Sequence, residues 1–124
     1  LLKRSDFITL HLILSDRSRG LFGAEDLALM KPTAYMVNTA RGPIIDEDAL
    51  AAALENGTIA GAGIDVFSVE PLPADHPFRK LENIIVTPHL GYVSDQNYAS
   101  YFGGYVEAIQ AFLAGEPKNF LGGY

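Results

Sequence analysis

The chain has 124 residues, 48% of them hydrophobic, with 9 Lys and Arg against 15 Asp and Glu, a formal net charge of −6, and neither Cys nor Trp. Its size suits one compact soluble domain that buries about two-thirds of its unfolded surface, and the acidic balance argues against nucleic acid or an anionic membrane surface as a partner. Without Cys there are no disulfides, thiol nucleophiles or cysteine-based zinc sites.

In chain order, the first residues Leu1-Leu2-Lys3-Arg4 carry no Met, helix cap or turn, which suggests a piece of a longer protein. Asp6 to Leu14 is a nearly continuous apolar run, expected to form a strand buried on both faces. It is far short of the ~20 residues of a membrane-spanning helix, and no signal peptide is visible. Ala24 to Met30 has helical spacing and stops at Pro32. Ala34 to Thr39 reads as a second buried strand, and Arg41-Gly42-Pro43 as a turn. Asp46 is placed to cap a helix, with Glu47 and Asp48 in its electropositive first turn and Gly57 just past its end.

Ala60 to Phe67 is a third strand, followed by a loop stiffened by Pro71, Pro73 and Pro77. Asn83 to Thr87 is a fourth. Ser94 can cap a last long helix whose face is Tyr98, Tyr101, Phe102, Tyr105, Ile109, Phe112 and Leu113, core or interface rather than a cofactor box. Gly115 and Pro117 end it. Strands alternating with helical crossovers predict an α/β fold with an open, mostly parallel sheet and a long C-terminal helix.

Ligands of such sheets bind beyond the carboxyl ends of the strands. The polar residues arriving there are His11, Arg41, Glu70 and His89. A guanidinium matches a carboxylate bidentately. A histidine exchanges one proton near neutrality, and a carboxylate beside it fixes its tautomer. Together they suit proton transfer to or from an oxygen of a small acid held by its carboxylate. No serine sits in a nucleophile elbow, and His11, His76 and His89 lack metal-ligand spacing. Each residue alone has a plainer reading. Arg41 can bond strand-end carbonyls, Glu70 can be a loop residue, and His11 and His76 read as structural. Asp65, inside a buried strand, must find donors from backbone or ligand, with a ligand slightly preferred.

Three segments carry a resemblance: MKPTAYMVNTARGPIIDEDAL (Met30 to Leu50), GAGIDVFSVEPLP (Gly61 to Pro73) and NIIVTPHLGY (Asn83 to Tyr92). They resemble the signature segments of the D-isomer-specific 2-hydroxyacid dehydrogenases. Ser5 to Gly23 is similar too, except that Ile13 stands where the family usually has Pro. The resemblance implies the C-terminal half of a Rossmann-like dinucleotide-binding domain over residues 1–93, and a helix and tail over 94–124 returning toward a substrate domain. It implies Arg41, Glu70 and His89 as the catalytic residues: Arg41 binds the substrate carboxylate, and His89, paired with Glu70, is the proton donor. It implies NAD or NADP contacts from His11, Leu12, Thr39, Ala40, Arg41, Asp65, His89 and Gly91, and no metal. The substrate would be a small 2-keto or 2-hydroxy acid, and the enzyme a cytoplasmic homodimer.

The family's G-x-G-x-x-G turn is not among these residues, so the 124-residue chain alone is expected to be inactive and to bind NADH weakly. The alternative is a non-catalytic family member acting as a binding or co-repressor protein.

Overall fold

The computed structural model describes residues 1–118. The last six residues of the expected 94–124 segment therefore lie outside the described part. The chain divides into two units, Leu1–Gly91 and Tyr92–Tyr124.

The first unit is the expected α/β, Rossmann-like sheet. Strands β1 (Phe7–Leu10), β2 (Tyr35–Asn38), β3 (Gly61–Ile64) and β4 (Ile84–Val86) lie side by side in that order, all parallel. Helix α1 (Ala24–Leu27) joins β1 to β2, and α2 (Glu47–Glu55) joins β2 to β3. The β3–β4 connection is a loop with a 3₁₀ turn at Pro77–Lys80. The helix ends follow local chemistry. Asp46 Oδ1 accepts the Ala49 N–H at 3.0 Å, and Gly57 takes φ +66° just past α2.

Each strand is shorter than its apolar run, and the expectation of burial on both faces fails for β1 and β2. Phe7 is 71% exposed and Tyr35 44%, while Ile8 and Met36 are buried. Register explains the division. Phe7, Tyr35 and Gly61 stand abreast, and Thr9, Val37, Gly63 and Ile85 form the next row on that face. Ile8, Met36 and Ala62, then Leu10, Asn38 and Ile64, line the other face. Successive parallel crossovers of one hand, all stepping the same way across a sheet, return over one face only. That face meets Leu27, Ile44, Leu50, Leu54 and Ile59, and the core is there. On the opposite face the rings of Phe7 and Tyr35 stack at 5.5 Å.

The second unit holds α3 (Asp95–Leu113), capped as expected by Ser94, whose hydroxyl accepts the Asn97 N–H at 3.2 Å. Its aromatic face stands exposed among the described residues: Tyr98, Tyr101, Phe102, Tyr105, Ile109 and Phe112 are each at least 46% accessible. No helix among the described residues is long and apolar enough to cross a membrane.

Candidate active site

The carboxyl ends of β2, β3 and β4 each release a loop that carries one of the expected groups. Behind β2 the organiser is Asn38, only 1% exposed. Its amide nitrogen donates to the Arg41 carbonyl at 2.9 Å, and its Oδ1 accepts the Ala40 N–H at 3.0 Å. A buried amide must satisfy both ends, and here that requirement bends the chain at Thr39–Arg41. Arg41 then stands exposed, with Nη1 donating to its neighbour's carbonyl, Ala40 O, at 2.6 Å. This is the plainer role foreseen for it, and it uses one of five guanidinium N–H groups.

Gly42 opens a 3₁₀ turn (Gly42–Ile44) directly against the next loop. A Cβ at Gly42 would lie 2.1 Å from the Phe67 carbonyl carbon, so only glycine permits this approach. The Arg41 turn is thereby pressed onto the loop that bears Glu70. In that loop Glu70 folds back on its own backbone. Its Oε1 accepts the Phe67 N–H at 2.9 Å, and its Oε2 lies 2.9 Å from His89 Nδ1. A cis peptide bond joins Glu70 to Pro71. The hydrogen bond from His89, then the one from Phe67, hold the Glu70 carboxyl below its ordinary range, with Arg41 adding a weaker electrostatic pull.

Behind β4 the backbone reverses at His89, whose φ is +59°. Non-glycine residues rarely occupy that region. The anchor is Asp65, buried at the end of β3. It accepts the N–H groups of Leu90 and Gly91, each at 2.7 Å, and the Thr87 hydroxyl. Burial alone would raise the Asp65 pKa. The hydrogen bonds from Thr87, Gly91 and Leu90, with the nearby His89, outweigh burial and lower it. The donors this carboxylate needs thus come from its own chain, although a ligand was the preferred source.

Two cavities flank these loops. One of about 610 Å³ is lined by Phe67, Glu70, Pro71, Leu72, Arg79, Val86, Thr87, Pro88 and His89. The other, of about 510 Å³, is lined by His11, Leu12, Ile13, Leu14, Thr39, Ala40 and Arg41. The expected residues therefore divide. Glu70 and His89 line the first cavity. His11, Leu12, Thr39, Ala40 and Arg41 line the second. Asp65 and Gly91 line neither and are joined to each other beside His89. His11 is exposed, with its Nε2 2.9 Å from the Thr9 hydroxyl.

Sequence reasoning missed Asn38 and Thr87. The signal for Asn38 was available, because an amide inside an apolar strand needs partners for both its ends.

Chemically, a Glu70 carboxylate that accepts from Nδ1 fixes the tautomer of the neutral His89 ring, with its proton on Nδ1. Arg41 supplies a planar, permanently charged donor fork one turn away.

Comparison with known proteins identifies the family. The family model described as the D-isomer specific 2-hydroxyacid dehydrogenase NAD binding domain matches residues 1–91. A glyoxylate reductase of Korarchaeum cryptofilum is 43% identical over 122 residues, covering 98% of this chain and 37% of that protein. The crystal structure of a D-isomer specific 2-hydroxyacid dehydrogenase from Xanthobacter autotrophicus Py2, in complex with NADPH and MES, is 44% identical with a TM-score of 0.74. That match covers 94% of this chain and 47% of the other. A D-lactate dehydrogenase with NAD+ from Lactobacillus jensenii is 31% identical with a TM-score of 0.85, covering 99% of this chain and 41% of the other. The chain thus spans less than half the length of each of these relatives.

Proposed function

The chain belongs to the D-isomer specific 2-hydroxyacid dehydrogenase family, and on that premise we propose that it carries the proton-transfer half of an NAD(P)-dependent site that reduces a small 2-keto acid to a 2-hydroxy acid. The observation that carries this reading is the 2.9 Å contact between His89 Nδ1 and Glu70 Oε2 at the edge of a cavity, with Arg41 on the adjoining turn. The matched relatives support the substrate class, since they include a glyoxylate reductase and a D-lactate dehydrogenase.

In this mechanism Arg41 holds the substrate carboxylate through paired N–H donors. That contact fixes the direction of the 2-keto oxygen. Glu70 keeps the proton of His89 on Nδ1 and steadies the ring when both nitrogens are protonated and it carries one positive charge. His89 Nε2–H donates to the keto oxygen as negative charge develops on it, and the hydroxyl forms there. After the donation His89 is neutral with its remaining proton on Nδ1, Glu70 keeps its negative charge, and the pair has gone from net zero to −1 until solvent returns a proton. In the oxidative direction the same nitrogen takes the proton back.

The residues present fit a nicotinamide nucleotide in part. The cavity beside Thr39, Ala40 and Arg41 has room for one end of such a molecule, and the Leu90–Gly91 backbone, bonded to Asp65 at the end of β3, lies close to Thr39. A bound reduced nicotinamide supplies the hydride that reaches the keto carbon. The sequence contains no G-x-G-x-x-G turn to cradle a pyrophosphate, so the 124-residue chain alone holds the dinucleotide weakly. Steady-state kinetics with glyoxylate, hydroxypyruvate and pyruvate, using NADH and NADPH and the full-length enzyme carrying this chain, test the proposal. Turnover of at least one is expected. If none is reduced above background, the reading is wrong.

A further inference from the structure

A second histidine–carboxylate pair lies outside the site just described. Glu47, in the first turn of α2, has Oε2 3.5 Å from His76 Nε2, and both side chains are mostly buried, at 15% and 16% exposure. The pair is not built to exchange protons with a ligand. His76 Nδ1 accepts the Phe78 N–H at 3.3 Å, so the neutral ring carries its proton on Nε2 and donates toward Glu47. The His76 ring also packs edge-on against Phe78, with centroids 4.6 Å apart, and Phe78 is fully buried. Both ring nitrogens and one ring edge are engaged by the chain itself.

The use of the pair is on the other oxygen. Glu47 Oε1 accepts the Ser68 N–H at 2.7 Å, across 21 residues of sequence. Ser68, Val69 and Glu70 are exposed and form no regular structure. Two successive backbone N–H groups of this loop are held by carboxylates, Phe67 by Glu70 itself and Ser68 by Glu47. Only the second ties the loop to a helix of the core.

We propose that Glu47, steadied by His76, is a positioning residue that anchors Ser68 and so presents the Glu70 carboxylate to His89. This rests on the reading that Glu70 orients His89 for proton transfer. Losing such an anchor shifts a catalytic carboxylate without touching substrate or cofactor, and misplacement near 1 Å costs roughly 100-fold in rate.

The test combines two measurements on Glu47→Ala and Glu47→Gln. In the isotopically labelled 124-residue chain, the Glu70 carboxyl carbon is titrated by NMR. Glu47→Ala is expected to bring its midpoint up toward the ordinary carboxylate range, and Glu47→Gln, whose amide oxygen still accepts from Ser68, to leave it close to wild type. In the full-length enzyme, kcat is expected to fall roughly 10- to 100-fold in Glu47→Ala with the KM for cofactor unchanged, and to recover most of that loss in Glu47→Gln. An unaltered Glu70 titration in a folded Glu47→Ala chain overturns the proposal. If Glu47→Ala does not fold, Glu47→Met, which keeps the packing and cannot accept from Ser68, takes its place: a kcat well below that of Glu47→Gln is expected, and a kcat equal to it overturns the proposal. A wild-type enzyme without turnover, combined with a Glu70 titration that moves on substitution, sinks the proposed reaction and leaves the anchoring intact.

Discussion

Gly42 and the backbone of Phe67 occupy the same place to within the size of one methyl group. A Cβ at Gly42 would sit 2.1 Å from the Phe67 carbonyl carbon and 2.5 Å from its oxygen. That contact locks the turn bearing Arg41 to the loop bearing Glu70. Gly42→Ala is expected to destabilise the fold by about 3 kcal/mol, near 10 °C in Tm, because backbone rather than a flexible side chain must give way. Thermal unfolding followed by circular dichroism measures it. A Tm within about 2 °C of wild type would contradict the tight contact.

Removal of the proposed proton donor is the most direct chemical test. His89→Ala in the full-length enzyme is expected to lower kcat for keto-acid reduction about 10²- to 10⁴-fold. Glu70→Gln should cost less, because the amide oxygen can still accept from Nδ1 while the negative charge is gone. Single-turnover absorbance at the reduced-nicotinamide band gives both rates. Equal losses from the two substitutions would mean that Glu70 acts directly on substrate rather than through His89.

Arg41→Lys keeps the charge and loses the fork. Hydrogen bonds to charged partners contribute about 1.5–3 kcal/mol each, so loss of one should raise the KM for the keto acid roughly 10- to 100-fold while cofactor affinity stays constant. Initial-rate measurements with each substrate varied in turn separate the two. A change confined to cofactor affinity would move Arg41 out of the carboxylate role.

Stability should depend on acid through two carboxyls. Asp65 and Glu70 are both lowered from their ordinary values by hydrogen bonds to their ionised forms. A group with a depressed native pKa stabilises the fold fully above its unfolded value, and that share is lost as pH falls through the native one. The loss should therefore begin below about pH 4.5 and deepen on further acidification. Urea unfolding at a series of pH values shows it. Asp65→Asn should flatten the curve and also lower stability at neutral pH by about 2 kcal/mol, because an amide cannot serve two N–H donors and a hydroxyl as the carboxylate does. A mutant curve as steep as wild type would point to other groups.

Much of the site could be read from position along the chain. Arg41, Glu70 and His89 follow strands, and a parallel sheet delivers such residues to one edge whatever their distance in sequence. Helix ends were equally local matters, visible in Asp46, Gly57, Ser94 and Gly115. The coverage of the sheet was not local. The run Phe7 to Leu14 is apolar on both sides, yet burial of one side depends on which way the crossovers step, and that emerges only with the order β1-β2-β3-β4. The partners of Asp65 were hidden for a related reason. Thr87, Leu90 and Gly91 reach it from a neighbouring strand end, and their approach depends on the backbone reversal at His89. Glu47 read simply as a first-turn helix acid, because its bond to Ser68 joins a helix to a loop 21 residues further along the chain.

That reversal has a consequence for how this chain can change. At φ +59° a side chain is held in a conformation that costs an L residue about 1 kcal/mol and costs glycine almost nothing. Backbone strain alone favours glycine at position 89, whereas the proposed proton transfer requires an imidazole there. His89→Gly should then be more heat-resistant than His89→Ala, with both equally inactive. At this one position, durability and turnover are competing demands on the same backbone angle.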